Sequence, residues 1–236
     1  MFTMARLSNL RNSSTRWFDA LPEKVRDEIE ASSTVVKASE GQVVVRQGDD
    51  VRGLYGVVTG ELQAIGTTTT GQDALIAIHR PSDWFGFLAC ADRGEYVVSV
   101  VATTDCDLRF LAMPAIERIF FQDPGMMRLF YAPQIAVNRA TMHYLTEHLS
   151  YSPIQRLANR LLDLALSPYN EYIPIRTLHA VTQEQLAFST LHSRQWTNRM
   201  LKQMSDMGLI NVSRRTIEIL DIEGLEKIAD VGLPEG

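Results

Sequence analysis

Residues 181–219, VTQEQLAFSTLHSRQWTNRMLKQMSDMGLINVSRRTIEI, decide the fold of the C-terminal part. Thr182 and Gln185 have the T-x-x-Q spacing of a capping box, so a helix starts there with its first amides satisfied. Thr190, Leu191 and His192 interrupt the pattern, and Ser193 offers a second N-cap. From Ser193, the residues Trp196, Met200, Met204 and Met207 recur at helical spacing and are expected to face a core. The other side carries Arg194, Gln195, Asn198, Arg199 and Lys202. Gly208 supplies the left-handed residue that ends a helix. Two β-prone runs, 209–212 and 216–220, flank Ser213, Arg214 and Arg215 and predict a small wing.

The polar face of the second helix has a definite chemistry. Arginine can donate two hydrogen bonds to guanine O6 and N7, and glutamine or asparagine can pair with adenine N6 and N7. Arg194, Gln195, Asn198 and Arg199 all fall in the first two turns, the part of a recognition helix that reaches base edges in a major groove. Base readout is assigned to these four. Thr182, Ser193, Lys202, Arg214 and Arg215 are assigned to the phosphate backbone. A plain solvated basic face would not need the capped helix before it and the arginine-bearing wing after it.

The pattern T-x-x-x-[IL]-A/G, S-R-x-x-[VTW]-x-R-x-L-K-x-[LM] and G-L-I resembles the winged helix-turn-helix of the Crp/Fnr transcription regulators. Thr182, Leu186, Ala187, Ser193, Arg194, Arg199, Leu201, Lys202, Met204 and 208–210 carry it. Two positions depart. Leu191 stands where the family often has a turn glycine, which predicts an uncommon or strained turn. Gln195 stands where an acidic residue often follows the recognition arginine. A carboxylate accepts from cytosine N4 and an amide suits adenine, so the preferred half-site should differ at that base pair.

The whole chain has 236 residues, enough for one or two domains with an ample core. Its 45% hydrophobic and 22% charged content is ordinary for a globular protein. No run approaches the length of a membrane span, and residues 1–18 lack a signal-peptide core, so a cytoplasmic protein without membrane contact is expected. The net charge of −5 hides a division: residues 192–215 hold five cations against Asp206 alone, a local +4 that leaves −9 elsewhere. Attraction to phosphate is screened beyond roughly 8–10 Å, so the local charge is what counts. Cys90 and Cys106 lack ligand spacing and read as buried small residues. The cysteine cluster of Fnr-type iron–sulfur sensors is missing.

Residues 1–16 are rich in Ser, Asn and Arg and are expected to be a flexible N-terminus. Pro22 to Ala31 reads as a short helix with Pro22 in its first turn. From 34 to 111 the period changes to two. The runs TVVKA, QVVVR, LYGVV, ELQAI, ALIAI, YVVSVVATT and DLRFL are separated by turn signals, which argues for an antiparallel barrel or roll. Gly41 to Asp49, Leu54-Tyr55, Gly60 and Gly86 resemble the cyclic-nucleotide-binding β-roll of the same family. The resemblance therefore covers about residues 17–230.

In cyclic-AMP-binding members a phosphate-binding cassette places Glu after a Gly and Arg-Ser before a strand. Alignment on Gly86 and on 100–106, with one residue of slack, puts Phe87 at the Glu and Tyr96-Val97 at the Arg-Ser. No fixed positive charge remains for a phosphate, whose unpaired burial is costly. Arg93, three residues before Tyr96, is the one cation near enough to reach in. The effector pocket, if used at all, would be lined by Phe87, Leu88, Tyr96, Val97 and Val98 with Thr141 on the connecting helix; a filled core without ligand is the other reading. His79 is a lone histidine before Arg80-Pro81 and reads as structural rather than as a haem ligand. No cofactor and no metal are expected, and the effector is unidentified.

Asp123-Pro124 opens the connecting helix. Met127, Phe130, Tyr131, Gln134, Val137, Thr141, Tyr144, Leu145 and His148 follow at spacings of three and four. Such a stripe outside both domains calls for the same helix of a second chain, with packing on its own roll as the alternative. Pro133 is expected to kink the helix or mark its true start. Residues 150–152 form a hinge, and a helix from Pro153 places Ile154, Leu157, Ala158, Leu161, Leu162 and Ala165 on one face. Residues 167–180 are read as a loop with a short hairpin.

The fold class is α+β: a flexible segment 1–16, an antiparallel jelly-roll-like β-roll 17–122, a dimerisation helix 123–150, and a winged helix-turn-helix domain 151–236. The resemblance implies a homodimeric transcription regulator on pseudo-palindromic double-stranded DNA, for which RNA polymerase is a possible partner, and a poor response to cyclic AMP. The rival reading is a small-molecule receptor that acts through a protein partner with its DNA-reading face idle. No nucleophile–base pair, metal motif or Gly-rich phosphate loop points to an enzyme, so no catalytic residue is assigned.

Overall fold

The computed structural model describes residues 17–165, 177–214 and 216–232. The expected flexible segment 1–16, most of the loop expected at 167–180, and Arg215 lie outside the described residues. The chain divides into two compact units, Met1–Thr67 with Ile76–Met142, and Thr68–Leu75 with His143–Gly236.

In the first unit, helices α1 (Trp17–Ala20) and α2 (Glu23–Ser32) precede the strands. Strands β1 (Thr34–Ala38), β2 (Val43–Val45), β3 (Gly53–Thr59), β4 (Leu62–Thr67), β5 (Asp73–His79) and β6 (Trp84–Phe85) follow. Helix α3 (Phe87–Asp92), strands β7 (Ser99–Ala102) and β8 (Cys106–Ala112) and helix α4 (Met113–Phe120) complete it, together with the long helix α5 (Pro124–Ser150) as far as Met142. The strands form two four-stranded sheets, ordered β1-β8-β3-β6 and β2-β7-β4-β5. Pairings β1–β8, β3–β8, β3–β6, β2–β7 and β4–β7 are antiparallel. The seven alternating runs thus become strands, with the run at 96–104 trimmed to β7. The two-residue β6 and helices α1, α3 and α4 carry too little periodicity to be read from sequence.

Gly60 shows why the roll needs glycine at one corner. Its φ is +87°, and a Cβ there would lie 2.4 Å from the Asp105 carbonyl oxygen. The interior between the sheets is filled by Tyr55, Val57, Leu62, Ala64, Phe85, Tyr96, Val100 and Leu108. A second core joins α1, α2, α4 and the start of α5 through Trp17, Ile29, Trp84, Phe87, Ile116, Phe120 and Phe130. One buried ion pair, Arg80 Nε to Glu61 Oε2 at 2.9 Å, closes the end of the roll where the Arg80 amide also donates to Asp83 Oδ2 at 2.8 Å. Helix α5 begins as its sequence requires: Asp123 Oδ1 accepts from the Met126 amide at 3.0 Å, and Pro124 occupies the first position.

The second unit holds α6 (Pro153–Ala165), β9 (Thr177–His179), α7 (Gln183–Thr190), α8 (Arg194–Asp206), β10 (Ile210–Val212), β11 (Thr216–Ile219) and α9 (Ile222–Val231). Helix α6 buries Leu157, Ala158, Leu161, Leu162 and Ala165 as its spacing predicts, but it leaves Ile154 half-buried and buries Leu164 as well. Helix α9 packs on it, and Gln155 Nε2 donates to the Asp230 carbonyl at 2.9 Å. No helix among the described residues is long and apolar enough to cross a membrane.

Candidate nucleic-acid interface

Helix α7 opens with the full capping box. Thr182 Oγ1 accepts from the Gln185 amide at 3.1 Å, and Gln185 Oε1 accepts from the Thr182 amide at 2.9 Å. The helix stops at Leu191, whose φ of 56° and ψ of 38° are left-handed. There the Leu191 amide donates to Phe188 O and the His192 amide to Ala187 O, both at 3.1 Å, so the exposed carbonyls of α7 are satisfied. The strained turn expected from Leu191 in a glycine position is present. Ser193 Oγ then accepts from the Trp196 amide at 3.2 Å and starts α8. Thr190 and Thr197 are fully buried where the two helices meet, each hydroxyl bonded to a carbonyl of its own helix.

The buried face of α8 matches the expected one at Met204 but is otherwise shifted. Thr197, Leu201 and Met204 are buried, Trp196 and Met200 are half-buried, and Met207 is 45% exposed. The methionine spacing misled because Thr197, with its hydroxyl bonded to the Ser193 carbonyl at 3.2 Å, packs like an apolar residue. The polar face keeps its place: Arg194, Gln195, Arg199 and Lys202 are exposed. Gln195, Arg199 and Lys202 are spaced four and three apart, so they form one stripe down the helix, with Arg194 at its entrance. Asn198 is half-buried, and its Oδ1 is covered without a hydrogen-bond partner among the described residues. Of the four assigned base readers it alone must turn its side chain to reach a base.

Sequence reasoning passed over His192. It is exposed and stacks on Trp196, ring centroids 4.3 Å apart, and this explains why Trp196 stays near the surface. Two aromatic rings four residues apart across a helix start were the available signal. The wing is an antiparallel pair with Ile210 opposite Ile219 and Val212 opposite Ile217, and β9 adds a third strand to β11. Arg214 sits exposed at its tip. Among backbone candidates, the Thr182 hydroxyl is already engaged with Gln185 at 3.1 Å. Ser193 keeps its hydroxyl hydrogen after accepting.

The six residues assigned to an effector pocket are not gathered into one lining, although Val98 packs against the same core as Tyr96. Gly86, at φ +103°, turns the chain into α3, and Phe87 goes into the core between Trp17 (4.8 Å between rings) and Phe130 (5.5 Å). Tyr96 lies in the other core. Its hydroxyl donates to the Gly53 carbonyl at 3.0 Å and accepts from the Arg52 amide at 3.2 Å. Leu88 and Val97 face outward, 38% and 59% exposed. Thr141 is exposed and bonds its own helix at Val137 O, 2.9 Å away. Arg93 is held at the surface by Glu117, 2.6 Å away, rather than turned toward Tyr96. His79 is half-buried and stacks on Phe85 at 4.9 Å. Cys90 and Cys106 are both buried, and burial pushes the Cys90 thiol up to about 12. Among the described residues no three His, Cys, Asp or Glu side chains are grouped to hold a metal.

Comparison with known proteins agrees with this layout. Residues 35–123 match the family model of the cyclic nucleotide-binding domain, and residues 155–228 match that of the Crp-like helix-turn-helix domain. The "Cyclic AMP receptor protein" of Thermus thermophilus is 25% identical over 201 residues, spanning 80% of this chain and 85% of that protein. The "CRP-like cAMP-activated global transcriptional regulator" of Mycobacterium tuberculosis is 27% identical over 192 residues, with 80% and 85% covered. The fold is shared with a solved putative regulator of the Crp/Fnr family from Eubacterium rectale (TM-score 0.67, 20% identity, 91% of this chain and 97% of that one). It is also shared with FixK2 of Bradyrhizobium japonicum (TM-score 0.65, 16% identity, 83% and 96% covered). With both family domains present in order along one chain, and with the capped helix pair and wing in place, the chain belongs to the Crp/Fnr family of helix-turn-helix transcription regulators, not to an enzyme family.

Proposed function

We propose that this regulator works as a cytoplasmic homodimer that reads a pseudo-palindromic DNA site through α8 and does not require cyclic AMP. The observation that carries the reading is the exposed stripe Gln195, Arg199 and Lys202 with Arg194 at the helix entrance. Two such helices, one from each chain, would enter successive major grooves about one duplex turn apart. Dimerisation is supported by α5, where Ile135, Met142 and Leu145 are each more than half exposed at intervals of seven and three, a coiled-coil spacing.

Independence from cyclic AMP rests on charge and space. Phe87, Tyr96 and Val97 stand where cyclic-AMP-binding relatives place Glu, Arg and Ser, so nothing pairs with a phosphate or a ribose hydroxyl. The Tyr96 phenol already fills its own hydrogen bonds at Gly53 and Arg52. Selection of duplexes from a random pool, followed by fluorescence anisotropy with and without cyclic AMP, tests the reading. A symmetric consensus bound equally well in both conditions is expected. The absence of any sequence preference, or a tenfold gain with cyclic AMP, would overturn it; binding of a protein partner with no DNA preference would favour the receptor reading instead.

A further inference from the structure

Pro133 lies buried inside α5 and has no amide hydrogen. The carbonyl four residues back, that of Leu129, therefore lacks its usual donor from residue 133. The structure fills that vacancy from a distant part of the chain. The indole Nε1–H of Trp17 donates to Leu129 O at 2.8 Å. Trp17 is 4% exposed, so neither the indole N–H nor the carbonyl has easy recourse to water.

The same indole is a junction. Its ring meets Phe87, the first residue of α3, edge-on at 4.8 Å, and lies 5.8 Å from Phe120. Phe130, the residue after Leu129, meets Phe87 at 5.5 Å. One side chain thus touches both the helix that follows Gly86 and the turn of α5 that precedes Pro133. Helix α5 continues past Met142, the last residue of the first compact unit, into residues of the second.

We infer that Trp17 is a positioning residue for DNA binding: its hydrogen bond to the carbonyl that Pro133 frees fixes the course of α5 at this proline against α3. The inference rests on the DNA-binding reading above. It requires the indole N–H specifically, and only while residue 133 is proline.

The test is a double-mutant cycle. Trp17→Phe removes the donor and keeps an aromatic ring; Pro133→Ala returns a helical donor to Leu129 O. Affinity for the selected duplex and amide hydrogen exchange of residues 130–137 are read on the parent, both single variants and the double variant. Trp17→Phe should weaken binding about three- to thirtyfold and speed exchange in the parent background, the range seen for residues that couple through packed elements. In the Pro133→Ala background its effect should fall to within about twofold, because the carbonyl no longer needs the indole. An equal loss in both backgrounds, or none in either, overturns the inference. If Trp17→Phe does not fold, benzothienylalanine at position 17, which replaces the N–H by sulfur at nearly the same shape, takes its place. If the parent binds no duplex at all, the functional reading fails, and the exchange data alone decide whether Trp17 fixes α5.

Discussion

The Tyr96 hydroxyl donates to the Gly53 carbonyl at 3.0 Å, bridging the segment before β7 to the first residue of β3 inside the roll. It also accepts from the Arg52 and Gly53 amides at 3.2 and 3.4 Å. The Tyr96 side chain is thus an internal cross-brace of the roll. Burial raises the Tyr96 pKa, which keeps the hydroxyl protonated and able to donate. Tyr96→Phe should therefore destabilise the protein by about 1–2 kcal/mol, the cost of leaving buried backbone groups unpaired. Urea unfolding of the two proteins measures this, and cyclic AMP should protect neither.

Leu191 holds a left-handed conformation at φ 56° while its side chain is 73% exposed. It therefore bears a steric cost of roughly 1–2 kcal/mol with little burial to offset it. Leu191→Gly should stabilise the protein, by about 0.5–1 kcal/mol after the added freedom of glycine in the unfolded chain is counted. A lower melting temperature for the variant would show that the leucine side chain makes a contact that matters.

His79 stacks on Phe85, and burial, with the nearby Arg80, lowers its pKa to about 4 from the ordinary 6.5. Between those values the unfolded chain takes up a proton that the folded chain refuses, so stability is whole above pH 6.5 and falls as the pH drops toward 4. The slope carried by this residue is at most about 1.4 kcal/mol per pH unit. His79→Phe keeps the stacked ring and should flatten that part of the profile, leaving a difference of about 2 kcal/mol between parent and variant on going from pH 7 to pH 4.5. Denaturant melts at the two pH values check it.

Arg199 and Arg214 should fail in different ways when replaced. Arg199→Ala should cost about 1–3 kcal/mol on the selected site and relax the preference at one base pair. Arg214→Ala, at the wing tip, should weaken all duplexes alike and reduce the log–log salt slope by about one. Binding isotherms at several salt concentrations, on the consensus and on single-base variants, separate the two. An Arg199 variant that discriminates as well as the parent would remove that residue from base readout.

What the amino-acid order determined by itself was local. The Thr182–Gln185 box, the Ser193 cap and Asp123-Pro124 act within four residues, so composition and spacing carry their full geometry. The alternation from β1 to β8 likewise follows from a period of two, and the arginine stripe on α8 from a period of 3.6. Tertiary packing decided the rest. Thr197 and Leu201 joined Met204 on the buried line of α8 in place of Met200 and Met207, because a threonine that bonds its own helix costs little to bury. Phe87 and Tyr96 adjoin one short loop yet enter separate cores, a choice made by Trp17 and Gly53, which lie more than thirty residues away in sequence. The partner of the Leu129 carbonyl is 112 residues distant, and no periodicity registers a hydrogen bond between groups that only the folded chain brings together.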